Sequence, residues 1–169
     1  MQQNKLAWLA GFWDGEGSIG FTKNGTTFIL NCQLSHTEIE SVRHILAILK
    51  ECGISGRGYT YQERDPEKHR DAHYIRVTGI NNVRQFAKLM VKHAITKKRH
   101  WEIAIQWADS RIAVAGGIDS KGHLRRGFDF RTRKYSSSDI ALYEEIKKLN
   151  SRGPKDRKDR KSSGRISSE

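Results

Sequence analysis

The most distinctive segment of the chain, residues 9–17, reads Leu9-Ala10-Gly11-Phe12-Trp13-Asp14-Gly15-Glu16-Gly17. From Leu6 to Trp13 the residues are apolar on every side, which indicates a helix inside the protein or at an interface. Gly11 and Gly15 lie one turn apart on the same face, where the lack of side chains lets a second helix approach closely. Alternation then begins at Ile19, as is typical of a strand. Glu16 is therefore predicted to lie where helix turns into sheet.

This stretch resembles the signature of the LAGLIDADG homing endonucleases, and it is identical to that signature at Leu9, Ala10, Gly11, Asp14 and Gly17. Glu16 holds the eighth position, where the family accepts Asp or Glu. The resemblance implies that two such helices pack face to face and that their eighth-position carboxylates meet over DNA and bind divalent metal. A membrane helix or an ordinary core helix fits poorly, because two acids interrupt an apolar run far shorter than the ~20 residues of a membrane span.

Composition favours one basic domain. The chain has 169 residues, enough for a single core, and 31 Lys and Arg against 19 Asp and Glu give a formal net charge of +12. A polyanion is the natural partner of such a surface. A ribosomal or simply soluble basic protein is the alternative that charge alone leaves open.

The two cysteines, Cys32 and Cys52, have no partner at metal-ligand or redox-motif spacing, and we interpret both as small buried residues. The N-terminal residues lack the layout of a secretory signal, and no transmembrane run follows. We therefore expect a reducing intracellular location, either an organelle (chloroplast or mitochondrion) or bacterial or phage cytoplasm.

Beyond the first helix, the pattern predicts a hairpin of residues 18–23 and 26–35 around Asn24-Gly25, with Phe28, Leu30, Cys32 and Leu34 on its apolar face. A capping box at 37–40 begins a helix that Gly53 ends. Strands follow at 56–64 and 72–79. Asn82 is predicted to cap the next helix, and a further helix begins near Lys97.

This order implies an α+β fold with an antiparallel four-stranded sheet and helices on one face. It is also the α-β-β-α-β-β-α order of the LAGLIDADG fold, in which the strands form a saddle on DNA. Ser138 is predicted to cap a C-terminal helix. We expect one domain over residues 1–150 and a basic, disordered tail over 151–169. Residues 122–135 are consistent with a basic arm or an irregular strand.

Residues 114–122, Val114-Ala115-Gly116-Gly117-Ile118-Asp119-Ser120-Lys121-Gly122, align with the same signature. We interpret them as an exposed glycine-rich loop, because Lys121 stands at the acid position and adjacent glycines weaken a helix. One motif supplies one acid per chain. Two copies are then needed for two acids, which predicts a two-fold homodimer.

The candidate catalytic residues follow partly from chemistry and partly from the resemblance. Phosphodiester hydrolysis requires carboxylates that hold a metal, and Glu16 with Mg²⁺ suits this role. The resemblance adds the Gly15 carbonyl as a second group facing the metal and gives Asp14 a structural role. It also implies a catalytic lysine, for which Lys98 is the first choice and Lys97 the second. His36 is the candidate for positioning water.

Double-stranded DNA is the predicted partner, with base edges read by strand side chains and phosphates bound by basic ones. The candidate DNA-binding residues are Lys23, Thr27, Ile29, Asn31, Gln33, Gln62, Arg64, Tyr74, Arg76, Thr78, Arg125, Arg126, Arg131, Arg133 and Lys134. The candidate dimer interface comprises Leu9, Ala10, Gly11, Phe12 and Gly15.

These observations predict an intron-encoded, Mg²⁺-dependent, site-specific endonuclease that makes double-strand breaks in a long, roughly palindromic DNA target. The alternative is an intron-splicing maturase, with its own intron RNA as a partner, or a non-cutting nucleic-acid-binding protein on the same fold. A structural protein of a ribonucleoprotein would account for the charge and leave residues 9–17 unexplained.

Overall fold

A computed structural model describes residues 2–61, 71–125 and 135–151. It contains five helices and four strands in the order α1 (Gln2–Glu16), β1 (Gly17–Asn24), β2 (Thr27–His36), α2 (Ile39–Glu51), β3 (Gly56–Tyr61), β4 (Ala72–Thr78), α3 (Ile80–Met90), α4 (Lys98–Val114) and α5 (Ser137–Asn150). The predicted α+β class and element order are confirmed. The predicted tail from 152 onward lies outside the described residues.

The four strands form one antiparallel sheet in the order β1-β2-β4-β3. The hairpin turn holds Gly25 at a φ of 58°, a backbone conformation that favours glycine. Strand β2 pairs with β4, so that Leu34 lies opposite Ile75 and Cys32 opposite Val77. The two hairpins are thereby joined through their inner strands.

The hydrophobic core lies between the helices and one face of this sheet. The sheet contributes the fully buried side chains Ile19, Cys32, Leu34, Ile75 and Val77. The helices cover them with large apolar residues, among them Leu9, Trp13, Ile45, Phe86, Trp101 and Trp107. Burial raises the pKa of the Cys32 thiol, which keeps it protonated, whereas Cys52 at the end of α2 is only half-buried.

Helix boundaries differ from the predictions at three N-termini. Glu38 is the N-cap of α2 and makes no side-chain capping bond, so the predicted capping box of Thr37 does not form. Gly79, with a φ of 86°, precedes α3 in place of Asn82. Ser136, and not Ser138, caps α5. Its hydroxyl accepts a hydrogen bond from the Asp139 N–H, and the Asp139 carboxylate accepts one from the Ser136 N–H.

Asn82 joins the α2–β3 loop to the end of β4 instead of capping a helix. Its side chain accepts a hydrogen bond from the Ser55 N–H at 2.9 Å and donates to the Ser55 and Thr78 carbonyls. Within the described ranges, no helix is both long and apolar enough to cross a membrane.

Candidate functional site

Glu16 is the last residue of α1 and is exposed, while the next residue, Gly17, is buried and begins β1. A Cβ at position 17 would overlap the indole of Trp13, which is itself fully buried. Glycine is therefore required for the chain to pass from helix to strand so close to this ring. Glu16 therefore lies where helix turns into sheet, as the sequence predicts, and the tight junction leaves its side chain at the surface.

Asp14 ties this junction to the beginning of α4. Its carboxylate accepts backbone hydrogen bonds from Ile95 at 2.7 Å, Thr96 at 2.9 Å and Lys97 at 3.1 Å. Burial raises the pKa of the Asp14 carboxyl, but these three N–H donors outweigh it and hold the pKa below its ordinary value. Asp14 thus has a structural role, as predicted, and it fixes α4 against the end of α1.

The two candidate lysines stand together at the start of α4 but have different environments. Lys97 is half-buried, and its ammonium donates to the backbone carbonyl of Asp14, two residues before Glu16. Lys98 is exposed as the first residue of the helix. Lys97 therefore contacts the end of α1, and the choice between Lys97 and Lys98 as the catalytic lysine stays a prediction.

His36 is the last residue of β2, and its Cα pairs with that of His73 on β4. Its Nδ1 accepts a hydrogen bond from the Glu38 N–H at 3.0 Å, and its ring packs 5.4 Å from that of Phe12 on α1. In the neutral ring, Nε2 therefore carries the proton. His36 shares the helix-covered side of the sheet with Leu34, so it lies beside the motif helix.

No group of three His, Cys, Asp or Glu side chains that could hold a metal occurs in the described parts of the chain. Glu16 contributes one exposed carboxylate. Mg²⁺ binds through one or two carboxylates, substrate phosphates and retained waters, and not in an all-protein cage. This donor set fits a metal shared with bound nucleic acid and a second copy of the chain.

The sheet face opposite the helices, here called the open face, carries the predicted base-reading residues of β2 and β4. Because Ile75 and Val77 face the core, Tyr74, Arg76 and Thr78 face the other way. Their pairing partners on β2 are Ser35, Gln33 and Asn31, and Ile29 and Thr27 continue the same face. All seven of the described candidates on β2 and β4 thus lie on one surface.

The pairing of β3 with β4 brings further residues to the open face. Arg57 pairs with Arg76 and Tyr59 with Tyr74, so these two residues of β3 lie on the open face, and Tyr61 follows by alternation. Thr60 lies on the helix side instead, since it pairs with His73 and its hydroxyl bonds to the His73 ring. The alternation within β3 was visible in the sequence, whereas its register on β4 was not.

Several open-face side chains already bond to one another. Arg76 donates to Gln33 Oε1 at 2.8 Å, and Asn31 donates to Thr22 Oγ1 at 3.0 Å across the hairpin. The rings of Tyr59 and Tyr74 stack with centroids 5.1 Å apart and planes 7° apart.

The remaining basic candidates are less central. Lys23 is exposed near the hairpin turn, and its pairing with Phe28 places it on the helix side of β1. Arg125 is exposed, with its Nε donating to the Ile118 carbonyl at 3.3 Å. Six candidates lie outside the described residues: Gln62, Arg64, Arg126, Arg131, Arg133 and Lys134.

The candidate dimer residues divide between two faces of α1. Leu9 (1% exposed) and Ala10 (0%) belong to the chain's own core and offer no surface to a partner, which corrects their assignment to the interface. Gly11 and Gly15 are exposed, and a Cβ added to either would meet nothing within 4 Å. Phe12 is half-buried beside them, and Trp8, 43% exposed, lies on the same exposed side of α1.

Comparison with known proteins agrees with this geometry. A family model described as a LAGLIDADG-like domain matches residues 3–90, just over half of the chain. None of the curated proteins compared with the sequence matches it.

Solved structures share the fold at low sequence identity. The archaeal intron-encoded homing endonuclease I-Vdi141I, solved in complex with DNA, superimposes with a TM-score of 0.63 at 15% identity, covering 90% of this chain and 88% of its own. The homing endonuclease I-CvuI, in complex with its target in the presence of calcium, gives 0.50 at 18% identity, covering 88% and 96%. The meganuclease I-AabMI, bound to uncleaved DNA, gives 0.52 at 16% identity, covering 82% of this chain and 49% of its own. The family model, which covers more than half of the chain and includes the motif at the helix–strand junction, places the chain in the LAGLIDADG family.

Proposed function

We propose that this chain is a homodimeric, metal-dependent, site-specific DNA endonuclease. The observation that carries the proposal is the placement of Glu16. Its exposed carboxylate lies at the end of α1, next to the face of that helix that carries the exposed glycines Gly11 and Gly15. A second copy packed on those glycines brings a second Glu16 beside the first. A two-fold axis then passes between two acids.

The open face supports DNA as the substrate. Its strands present amides, hydroxyls, arginines and tyrosines, which are suited to base edges in the major groove. The net charge of +12 supplies the electrostatic attraction to phosphates. A dimer doubles this face about the same axis, which favours a long target with two related halves.

Glu16, with the Gly15 carbonyl, would hold Mg²⁺ against the scissile phosphate. When bound, the metal polarises the phosphoryl oxygen and makes a coordinated water a better nucleophile. Two Glu16 carboxylates at one axis repel each other, so nearby cations are needed to stabilise the pair.

The chain's own residues orient this site. Asp14 fixes the start of α4 against the end of α1, and Lys97 is thereby held on the Asp14 carbonyl. Its ammonium is the first cation we assign to the developing phosphoryl charge, with Lys98 as the second. His36, whose ring packs on Phe12, is assigned to orient water through Nε2.

The proposal is tested by incubating the protein with Mg²⁺ and a library of randomised duplex targets and sequencing the cut ends. The wild type is expected to enrich one long, roughly palindromic site, and Glu16→Gln is expected to bind that site without cutting it. Glu40→Gln is the matched control, since Glu40 is an exposed acid paired only at the surface with Arg43. Specific RNA binding without DNA cleavage by the wild type would favour a maturase or a non-cutting binding protein and would overturn the proposal.

A further inference from the structure

The open face contains a contact between two predicted base-reading residues that bears on which base they read. Gln33 on β2 and Arg76 on β4 are direct pairing partners, and Arg76 Nη2 donates to Gln33 Oε1 at 2.8 Å. Both side chains project from the open face, where DNA would lie under the proposed function, on which the following inference rests.

The contact fixes the orientation of the Gln33 amide. A guanidinium has only donors, so the amide atom that faces it must be the carbonyl oxygen. The Gln33 amide nitrogen, with two further donors, consequently points away from Arg76. The pair therefore offers N–H donors from both residues beside a positive charge.

Arg76 is itself held in place on its other side. Its guanidinium carbon lies 5.9 Å from the centroid of the Tyr59 ring, which stacks on Tyr74. A cation near an aromatic face is attracted to it, and the flat tyrosine pair restricts where the arginine can move. The two contacts restrict Arg76 before DNA binds, which reduces the entropy lost on binding.

We propose that Gln33 and Arg76 act as one unit that selects guanine at a single position in each half of the target. Guanine presents two acceptors, N7 and O6, in the major groove, whereas adenine and cytosine present amino donors there. The Gln33–Arg76 pair, which is rich in donors, matches the two acceptors of guanine and repels the amino donors of adenine and cytosine. Taken alone, Gln33 would be expected to read adenine, so its arginine partner changes the base that it selects.

The inference is tested by measuring base preference at every target position for the wild type, Gln33→Ala, Arg76→Ala and the double variant. Both single variants are expected to lose about 10-fold or more of the guanine preference at the same position, within the range of one good bidentate contact. The double variant is expected to lose little more than either single variant, because the two residues act together. Gln33→Glu keeps an acceptor for Arg76 but removes the amide donors, so it is expected to lose the guanine preference as Gln33→Ala does.

Asn31→Ala is the matched control, since Asn31 is an amide on the same face that bonds to Thr22 and not to Arg76. It is expected to alter a different target position. Adenine preference at the shared position, or independent effects of the two single variants at different positions, would overturn this inference and leave the nuclease intact. A wild type that neither binds nor cuts any sequence would overturn the proposed function and this inference with it.

Discussion

Residues 9–17 and 114–122 align with each other position by position, yet only the first stretch forms the helix that the signature describes. Residues 9–16 complete α1, and Gly17 begins β1. In the second stretch, Val114 is the last residue of α4, and Gly116 and Gly117 follow at φ angles of 75° and 105°. The prediction of a glycine-rich loop there is confirmed. Two adjacent glycines readily leave the helical conformation, and here they end α4.

The sixth position of the two stretches shows the difference most clearly. Asp14 accepts hydrogen bonds from backbone groups 81 to 83 residues away. Asp119 accepts bonds from Lys121 and His123 within its own loop, at 2.9 and 2.8 Å. The same residue type therefore organises the tertiary fold in one stretch and a local turn in the other. Only a contact between distant elements can position a catalytic group against another part of the chain.

The largest expected effect concerns the acid of the first stretch. Glu16→Gln is expected to reduce the single-turnover cleavage rate by about a thousandfold, because under the proposed function Glu16 holds a metal that supplies several kcal/mol of transition-state stabilisation. Adding Lys121→Glu, which gives the second stretch an acid at the same signature position, is expected to restore nothing, since that loop is not at a helix–strand junction. Cleavage by the double variant at near wild-type rate would contradict the distinction between the two stretches.

The next effect concerns glycine packing. Gly17→Ala places a methyl group inside the volume of Trp13 and is expected to lower the free energy of unfolding by about 3 kcal/mol. Gly117→Ala has room for its methyl group and carries only the strain of its positive φ, an expected loss of about 1 kcal/mol. Urea denaturation of both variants measures the difference. Equal losses would show that the junction at Gly17 is looser than its packing indicates.

A third effect separates dimerisation from folding. Gly11→Leu is expected to keep or slightly raise the stability of the single chain, because leucine is a better helix former and a Cβ at this position meets nothing within 4 Å. The same change blocks close approach of a second helix and is expected to weaken the proposed dimer by about 30-fold, or ~2 kcal/mol. Sedimentation equilibrium measures association, and thermal melting measures the fold. An unchanged dimer would place the interface elsewhere.

The smallest effect is the pH dependence of Asp14. Because its pKa is lowered on folding, its stabilisation is present above the ordinary value of 3.8 and is lost as the pH falls through the lower folded-state value. Asp14→Asn is expected to cost about 1 kcal/mol at neutral pH, and its difference from the wild type should shrink as the pH falls below 3.8. Denaturation at several pH values tests this.

The control for this last measurement is Asp119→Asn, which removes a charge from a local turn and is expected to cost no more than about 0.5 kcal/mol. A pH-independent difference between Asp14→Asn and the wild type would mean that the three backbone donors stabilise the carboxylate no more than the amide.

Much of the fold could be predicted because the periodicity of apolar residues and the positions of turn-forming residues depend only on the local sequence. The alternation in β2 identified its buried residues, and Gly25 and Gly53 marked ends that the structure retains. The candidate acid followed from the motif alone. The N-caps of α2, α3 and α5 could not be predicted as reliably, because several polar residues near each helix start compete for one position. In α5 the reciprocal bond between Ser136 and Asp139 decided the outcome.

Local pattern, then, determines the elements of this protein, the class of its fold and the residue at the centre of its proposed chemistry. Tertiary contacts decide the rest: that Lys97 bonds to the motif helix, that Leu9 and Ala10 face inward while the glycines face outward, and that Arg76 meets Gln33. The physical reason is that periodicity fixes which side of an element each residue occupies. Strand register and helix packing determine which residues from distant elements meet, and neither can be derived from any single segment.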